Sequence, residues 1–214
     1  MKDLSNYRKS YEKSALLEDN IPTDPINLFH RWFHEVQDFG GIDEVNAMTV
    51  ASIGLDGFPK SRVVLLKQYN EEGFVFYTNY DSEKGKAIAV NPNVCLSFFW
   101  NTLERQVIIK GTAVLLSAAQ SDAYFYSRPF GSQLGAIVSP QSEVIPNRTF
   151  LETRLQELEQ SHINAEPKRP ANWGGYLVQP HSIEFWQGRP NRLHDRIRYS
   201  SESDFSWSID RLAP

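Results

Sequence analysis

The chain is poor in several residues that build common sites. Cys95 is the single cysteine among 214 residues. One cysteine excludes an internal disulfide framework and any Cys-x-x-Cys zinc or redox motif, and it fits a reducing compartment. Its neighbours, Val94 on one side and Leu96-Ser97-Phe98-Phe99 on the other, mark it as a buried structural thiol. No apolar run approaches membrane-spanning length. The first twenty residues mix Lys, Arg, Glu and Asp and lack the apolar core of a secretory signal. A cytoplasmic chain without a membrane partner is the expectation. Neither GxGxxG nor a Walker loop occurs, and the β-α-β alternation of a parallel nucleotide-binding sheet is missing, so NAD or ATP held in the usual ways is not expected. The GxSxG nucleophile elbow is absent too, and there are no internal repeats.

Excess positive charge is also lacking. Lys and Arg total 22 against 26 Asp and Glu, a net charge of -4, which gives no generalised nucleic-acid surface. What is plentiful is apolar matter: 41% hydrophobic and 13% aromatic residues, enough for a real core. His30 and His34 lie one helical turn apart, but the second histidine of a zinc-protease helix is missing and no cysteine assists. A solvated helix face is expected there, and no metal site.

Residues 1–22 read as a polar, mobile arm, and residues 23–214 as a single domain. Asp24-Pro25 is a helix start, an N-cap followed by proline at the first helical position. Ile26, Phe29, Phe33 and Val36 recur at helical spacing, and Gly40-Gly41 ends the element. Strands follow at Met48–Ile53 and Lys60–Gln68 around the turn Leu55-Asp56-Gly57, then at Phe74–Thr78. Asp81-Ser82-Glu83-Lys84 opens a short helix that Asn91-Pro92-Asn93 stops, and strands are expected at Val94–Trp100 and Gln106–Leu115. Ser117 caps a helix to about Ser127, broken by Arg128-Pro129, and a Gly/Ser segment leads on to Ser139-Pro140. A further helix spans Asn147–Gln160, residues 165–170 form a linker, and β segments at Gly175–Gln187, Leu193–Tyr199 and Phe205–Ile209 complete the chain. Many short strands with tight turns and interspersed helices point to an antiparallel barrel, mainly β with flanking helices (α+β).

Three stretches carry chemistry. In Trp186-Gln187-Gly188-Arg189-Pro190-Asn191-Arg192-Leu193-His194-Asp195-Arg196, Arg192, His194 and Arg196 alternate, so an extended strand would turn all three to one face. That face suits an anionic ring compound, with Trp186 as an apolar wall and Gln187 as a polar contact. The wet face of an antiparallel strand would look the same. Tyr77-Thr78-Asn79-Tyr80-Asp81-Ser82-Glu83-Lys84 crowds hydroxyls, a helix N-terminus and a lysine together, which is what a phosphate needs. Arg62, at the head of Arg62-Val63-Val64-Leu65-Leu66-Lys67, adds a bidentate fork. Tyr124, Arg128 and Ser132, spaced by four, form a second set of phosphate-type residues, although Pro129 interrupts the helix that would align them. The residues alone thus describe an antiparallel, β-rich protein that binds phosphorylated aromatic ligands.

Those stretches, with Phe76-Tyr77-Thr78-Asn79, Arg105-Gln106-Val107, Gln141-Ser142, Trp173-Gly174-Gly175-Tyr176 and Glu184-Phe185-Trp186-Gln187-Gly188, resemble the pyridoxamine/pyridoxine 5'-phosphate oxidases over residues 8–214. The resemblance implies a Greek-key split β-barrel homodimer that binds FMN at the subunit interface. It implies oxidation of a phosphorylated pyridine amine or alcohol by dioxygen to pyridoxal 5'-phosphate, with release of hydrogen peroxide and, from the amine, ammonia. Carried over by position, Arg62, Val63, Val64, Leu65, Leu66, Lys67, Tyr77, Thr78, Ser82 and Lys84 hold FMN, and Gln106, Gln141, Ser142, Trp186 and Arg196 complete that site. Lys67, Tyr124, Arg128 and Ser132 grip the substrate phosphate. Arg192 and His194 cover the pyridine ring as the catalytic pair, with Arg8 and Tyr11 as a lid. Glu83 stands where relatives commonly carry a basic residue beside the FMN phosphate, and it is left out of the set. Other split-barrel flavin reductases, and a non-catalytic protein that binds pyridoxal 5'-phosphate, are the alternatives.

Overall fold

The computed structural model describes residues 1–162 and 165–214. In chain order the elements are α1 (Pro25–Phe39), β1 (Ala47–Ile53), β2 (Pro59–Leu65), β3 (Gln68–Asn70), β4 (Gly73–Asn79), α2 (Glu83–Val90), β5 (Asn93–Trp100), β6 (Arg105–Leu115), α3 (Ala118–Ser127), α4 (Phe130–Val138), α5 (Arg148–Ser161), β7 (Trp173–Gln187), β8 (Asp195–Ser201) and β9 (Trp207–Arg211). Hydrogen-bonded neighbours run β2-β1-β5-β6-β7-β4-β3, with β8 beside β7 and β9 beside β8. The chain divides into two compact units: Met1–Val50, Cys95–Gly111 and Pro180–Pro214 form the first, Ala51–Val94 and Thr112–Gln179 the second.

The first unit is built around α1. The Asp24 carboxylate accepts the Ile26 amide at 2.8 Å, capping the helix that Pro25 begins. Pro25, Ile26, Leu28, Phe29, Trp32 and Val36 are its buried residues; of the four positions read from spacing, Phe33 is only half-buried. Phe29 packs against Phe98 at 5.2 Å, and Trp32 meets Phe185 edge-on at 5.2 Å. Such pairs add roughly 0.5–1.5 kcal/mol each to the area they bury. The polar tips of two core aromatics are satisfied: Trp100 Nε1 donates to the Val45 carbonyl at 3.0 Å and Tyr199 Oη to that of Pro22 at 2.7 Å. His30 and His34 are exposed. Cys95 is half-buried, and burial pushes its thiol up, so it is no ready nucleophile.

β7 and β8 pair antiparallel from Ser182↔Ser200 to Gln187↔Asp195. Gln187 departs from the sequence reading. Its side chain is fully buried; it accepts from Arg105 Nε at 3.0 Å and donates to the Leu103 carbonyl at 3.1 Å. The amide is a structural tie and offers nothing to a ligand. Arg105 continues the network to Glu35 at 2.5 Å and lies 4.5 Å over the Trp32 ring.

In the second unit, β4 pairs with β7 from Phe74↔Val178 to Asn79↔Trp173 and with β3 around the Asn70–Gly73 turn. Phe74, Phe76, Val178, Phe125 and Leu134 are fully buried. Two expectations change here. The strand expected over Lys60–Gln68 breaks after Leu65: Leu66 sinks into the core at 4% exposure, and the Lys67 amide donates to the Val75 carbonyl at 2.8 Å. The Gly/Ser segment after Pro129 is helix α4, because Gln133, Leu134 and Val138 give it a buried face that outweighs two glycines of low helix propensity.

Replacing Gln187 with Leu leaves the Arg105 Nε and the Leu103 carbonyl without a partner inside the protein. The expected loss is about 2–4 kcal/mol of unfolding free energy, read as a lower urea midpoint at unchanged m-value.

Candidate functional site

Residues of the second unit enclose a cavity of about 690 Å³. Arg62, Val63, Val64, Leu65 and Lys67 come from β2 and its exit, Tyr77 and Thr78 from β4, Lys84 from α2, Tyr124, Arg128 and Ser132 from α3 and α4, and Gln141 and Ser142 from the following loop. Thirteen of the expected residues therefore share one space. Pro129 does break the helix as its ring requires, yet Tyr124, Arg128 and Ser132 converge across the break. Gln133 Nε2, invisible to motif reading, donates to the Arg128 carbonyl at 2.8 Å and fixes that corner.

Lys84 decides the chemistry of the cavity floor. Ser82 caps α2: its hydroxyl donates to the Asn79 carbonyl at 2.6 Å and accepts the Gly85 amide at 3.2 Å. A Cβ at Gly85 would lie 2.1 Å from the Tyr80 carbonyl oxygen, so only glycine lets the first turn close this tightly. The turn delivers Lys84 Nζ to Thr78 Oγ1 at 2.7 Å and to Gln141 Oε1 at 3.3 Å. The lysine is 7% exposed, and burial, aided by the Arg62 charge, lowers its pKa to about 8. Among the described residues no carboxylate pairs with it. Ser82, at 0% exposure, acts beneath the cavity as the cap, and Leu66 belongs to the core; neither lines the space.

The opposite wall is aromatic. Tyr77 and Tyr124 stack at 3.8 Å, and Trp173 continues the stack 5.7 Å from Tyr77. Trp173 is a cavity residue outside the expected set; its place beside Gly174-Gly175 is the signal in the sequence. The Arg128 guanidinium lies 4.7 Å over the Trp173 ring, and its Nη1 is buried with no hydrogen-bond partner. Glu83, on the rim, pairs with Lys60 and lies 3.5 Å from Arg62. Its carboxylate is engaged by two cations.

The first unit gathers another set. Tyr11 meets Trp186 edge-on at 5.7 Å and lies 5.7 Å from His194, which is 4.7 Å from Trp186. The reading of Arg192, His194 and Arg196 as one face of an extended strand is corrected here. Asn191 and Arg192 adopt φ 57° and 62° in a tight 3-10 turn, and β8 begins only at Asp195. Left-handed backbone at a non-glycine residue costs roughly 1–3 kcal/mol and gathers at functional sites. Arg192 is exposed. Arg196 answers to Glu184 at 2.8 Å and the Ala213 carbonyl at 2.8 Å, so it is a paired cation. His194 Nδ1 accepts the Arg189 amide at 3.1 Å, which puts the ring proton on Nε2. Gln106, near the start of β6, is half-buried, and Arg8 is exposed, with Nε donating to the Ser5 carbonyl at 2.9 Å.

Comparison with known proteins identifies the family. Residues 33–162 match the family described as pyridoxamine 5'-phosphate oxidase, and residues 173–214 the pyridoxine 5'-phosphate oxidase C-terminal dimerisation region. The chain is 74% identical over 213 residues to a pyridoxine/pyridoxamine 5'-phosphate oxidase of Flavobacterium johnsoniae, covering 100% of both. It is 53% identical over 213 residues to one of Christiangramia forsetii, covering 100% of this chain and 99% of that one. Among solved structures, PhzG from Burkholderia lata, in complex with tetrahydrophenazine-1-carboxylic acid, matches with a TM-score of 0.86 at 28% identity over 96% of this chain and all of that one. An FMN-binding protein from Nostoc punctiforme shares the fold, with a TM-score of 0.72 at 15% identity over 91% of this chain and 100% of that one. Fold and site define a split-barrel oxidoreductase of flavoprotein type. The chain belongs to the pyridoxamine 5'-phosphate oxidase family.

His194 is pushed below its ordinary pKa by burial and by the Arg192 charge. Its NMR titration midpoint is expected below 6.5, and Arg192→Ala is expected to raise it. An unmoved midpoint in that variant would separate the two side chains electrically.

Proposed function

We propose that this chain is an FMN-dependent oxidase that converts pyridoxamine 5'-phosphate and pyridoxine 5'-phosphate to pyridoxal 5'-phosphate, working as a cytoplasmic homodimer. The observation that carries the reading is a cavity that turns Lys84 and Arg128 inward with no carboxylate partner among the described residues. Cations placed this way suit phosphate esters, and the stacked aromatics beside them suit a ring. The identity with oxidases of that name and the match of residues 173–214 to a dimerisation region support the substrate and the dimer.

The donor set fits FMN. Arg62, Thr78 and Lys84 would hold its phosphate, with Ser82 shaping the helix terminus, and Val63, Val64, Leu65, Tyr77, Gln141 and Ser142 would complete the contacts made from the second unit, while Leu66 supports them from the core. By the family resemblance Gln106, Trp186 and Arg196 would also contact the flavin. When bound, FMN supplies the two-electron acceptor and its reoxidation by dioxygen. The amine consumes dioxygen and water and yields aldehyde, ammonia and hydrogen peroxide; the alcohol yields aldehyde and hydrogen peroxide.

The chain's own residues orient and balance charge. Lys67, Tyr124, Arg128 and Ser132 would take the substrate phosphate, so that binding energy far from the reacting carbon fixes its position. Arg192 would steady negative charge developing on the substrate. His194, with Nδ1 occupied by the Arg189 amide, would present Nε2–H as a donor to the pyridine substituents. Arg8 and Tyr11 would close over the ring.

Anaerobic mixing of the FMN-loaded protein with pyridoxamine 5'-phosphate tests the reading. Bleaching of the flavin band, with colour and hydrogen peroxide returning on admission of air, is expected. Flavin that binds but stays oxidised with both the amine and the alcohol would overturn the substrate assignment in favour of a reductase.

Lys84 supplies a sharper test. A phosphate partner stabilises its charged form, so FMN affinity should fall as pH rises through about 8 in the wild type. Lys84→Met should weaken FMN binding by roughly 10–100-fold and remove that pH dependence, measured by quenching of flavin fluorescence.

A further inference from the structure

Glu104 is a buried carboxylate that the catalytic reading does not use. It sits in the turn between β5 and β6 at 2% exposure with φ 57°, a backbone state that glycine occupies at lower cost than glutamate. Among the described residues its side-chain hydrogen bonds and ion pair go to the N-terminal segment. Oε2 accepts the Glu12 amide at 2.8 Å and the Lys13 amide at 3.0 Å, and Oε1 lies 3.1 Å from Lys9 Nζ.

The same residue grips the end of β7. Its backbone carbonyl accepts the Gly188 amide at 2.7 Å. Gly188 in turn is the seat of Tyr11: a Cβ added there would lie 2.8 Å from Tyr11 Cβ and Cγ. The Tyr11 ring then leans on Trp186 and His194. A second anchor lies further along. Asp195 Oδ2 accepts the Leu16 amide at 3.0 Å, and Arg211 ties Asp195 Oδ1 at 2.9 Å to the Leu16 carbonyl at 2.9 Å. Leu16 is 3% exposed. Tyr11 thus lies between Lys9 and Glu12, both held by Glu104, and Asp195 fixes the same segment further on at Leu16.

We infer that Glu104 is the positioning residue for this segment: its carboxylate clamps residues 9–13 so that Tyr11 is held against His194 and shapes the substrate side of the site. The inference rests on the proposed oxidase for its catalytic consequence and on hydrogen bonds alone for the clamp. A carboxylate is needed because two convergent amides and an ammonium all present positive charge to one point. Glutamine keeps one acceptor oxygen and turns an N–H toward Lys9. Glycine removes the clamp while suiting the left-handed backbone, so its effect is not backbone strain.

The test uses full-length, FMN-loaded protein carrying Glu104→Gln or Glu104→Gly. Hydrogen exchange at the amides of residues 12, 13 and 16 is expected to accelerate by about 3–10-fold in the glutamine variant and about 10–100-fold at residues 12 and 13 in the glycine variant. The KM for pyridoxamine 5'-phosphate should rise about 10-fold in Glu104→Gly, with kcat and FMN affinity within about twofold of wild type. Exchange that stays at the wild-type rate in both variants overturns the clamp. Faster exchange with an unchanged KM overturns the positioning role. A wild-type protein without oxidase activity would refute the proposed function, and the exchange rates would still decide the clamp. Should Glu104→Gly fail to fold, the isosteric glutamine variant carries both measurements.

Discussion

An ammonium taken almost wholly out of water, with no carboxylate to meet it among the described residues, is the constraint from which the second unit follows. Burial leaves Lys84 with a penalty on the order of 3 kcal/mol on its charged form. Left alone, a lysine in that position would shed its proton or find a path to solvent. Here it is held by its own helix. Ser82 fixes the first turn, Gly85 lets that turn close on the Tyr80 carbonyl, and Thr78 and Gln141 hold the Nζ in the cavity. Each is legible as a means of keeping one positive charge where an anion can reach it. Helix N-terminal amides add positive potential of the same sign. The free chain carries a cost that a bound anion would remove, which is how a binding site differs from a structural ion pair.

The first unit solves the reverse problem. Its buried charges are matched from within: Arg105 by Glu35 and Gln187, Asp195 by Arg211, Glu104 by two amides and a lysine. Removing one partner from such a set leaves an uncompensated charge, so these groups are rigid by necessity. Rigidity matters at the end of β7, where Trp186, Gly188 and His194 lie within a few residues of each other. The contrast between compensated and uncompensated buried charge separates framework from site without reference to any motif.

Much of the framework was legible because it rests on local rules. Asp24-Pro25 and Ser117 announced two helix starts, and Asn91-Pro92 one helix end. Where sequence and structure part, a non-local term decided. Gly131 and Gly135 argue against a helix at short range, but burial of Leu134 and Val138 forms α4. Alternation suggested that Arg192, His194 and Arg196 share a face, yet alternation has meaning only if the backbone is extended, and Asn191 and Arg192 are left-handed. Gln187 looked available because a glutamine beside a tryptophan resembles a ligand contact; its burial depends on Arg105, which is 82 residues away in the chain. The convergence of the cavity residues was not legible in the sequence. Nothing in the spacing of Tyr124, Arg128 and Ser132 says that a proline break would leave them facing the same space as Arg62 and Lys84.

Glu83 shows why an unfavourable charge at the rim need not block an anion. Asp56, Lys60, Arg62 and Glu83 form a set with no net charge, in which Lys60 touches both carboxylates and Arg62 is the outer member at 3.5 Å from Glu83. Glu83 and Lys60 are both substantially exposed, and pairs in that setting are worth about 0–1 kcal/mol. Arg62 has further holds on Ser52 Oγ at 3.2 Å and the Lys60 carbonyl at 3.3 Å, both neutral acceptors. An incoming phosphate would therefore compete with Glu83 for one guanidinium at a distance where the existing attraction is weak, while Lys60 would continue to neutralise the carboxylate. The acidic residue would yield Arg62 to a phosphate at the cost of one weak contact. A carboxylate in this position is compatible with a phosphate site because a second cation, Lys60, comes with it.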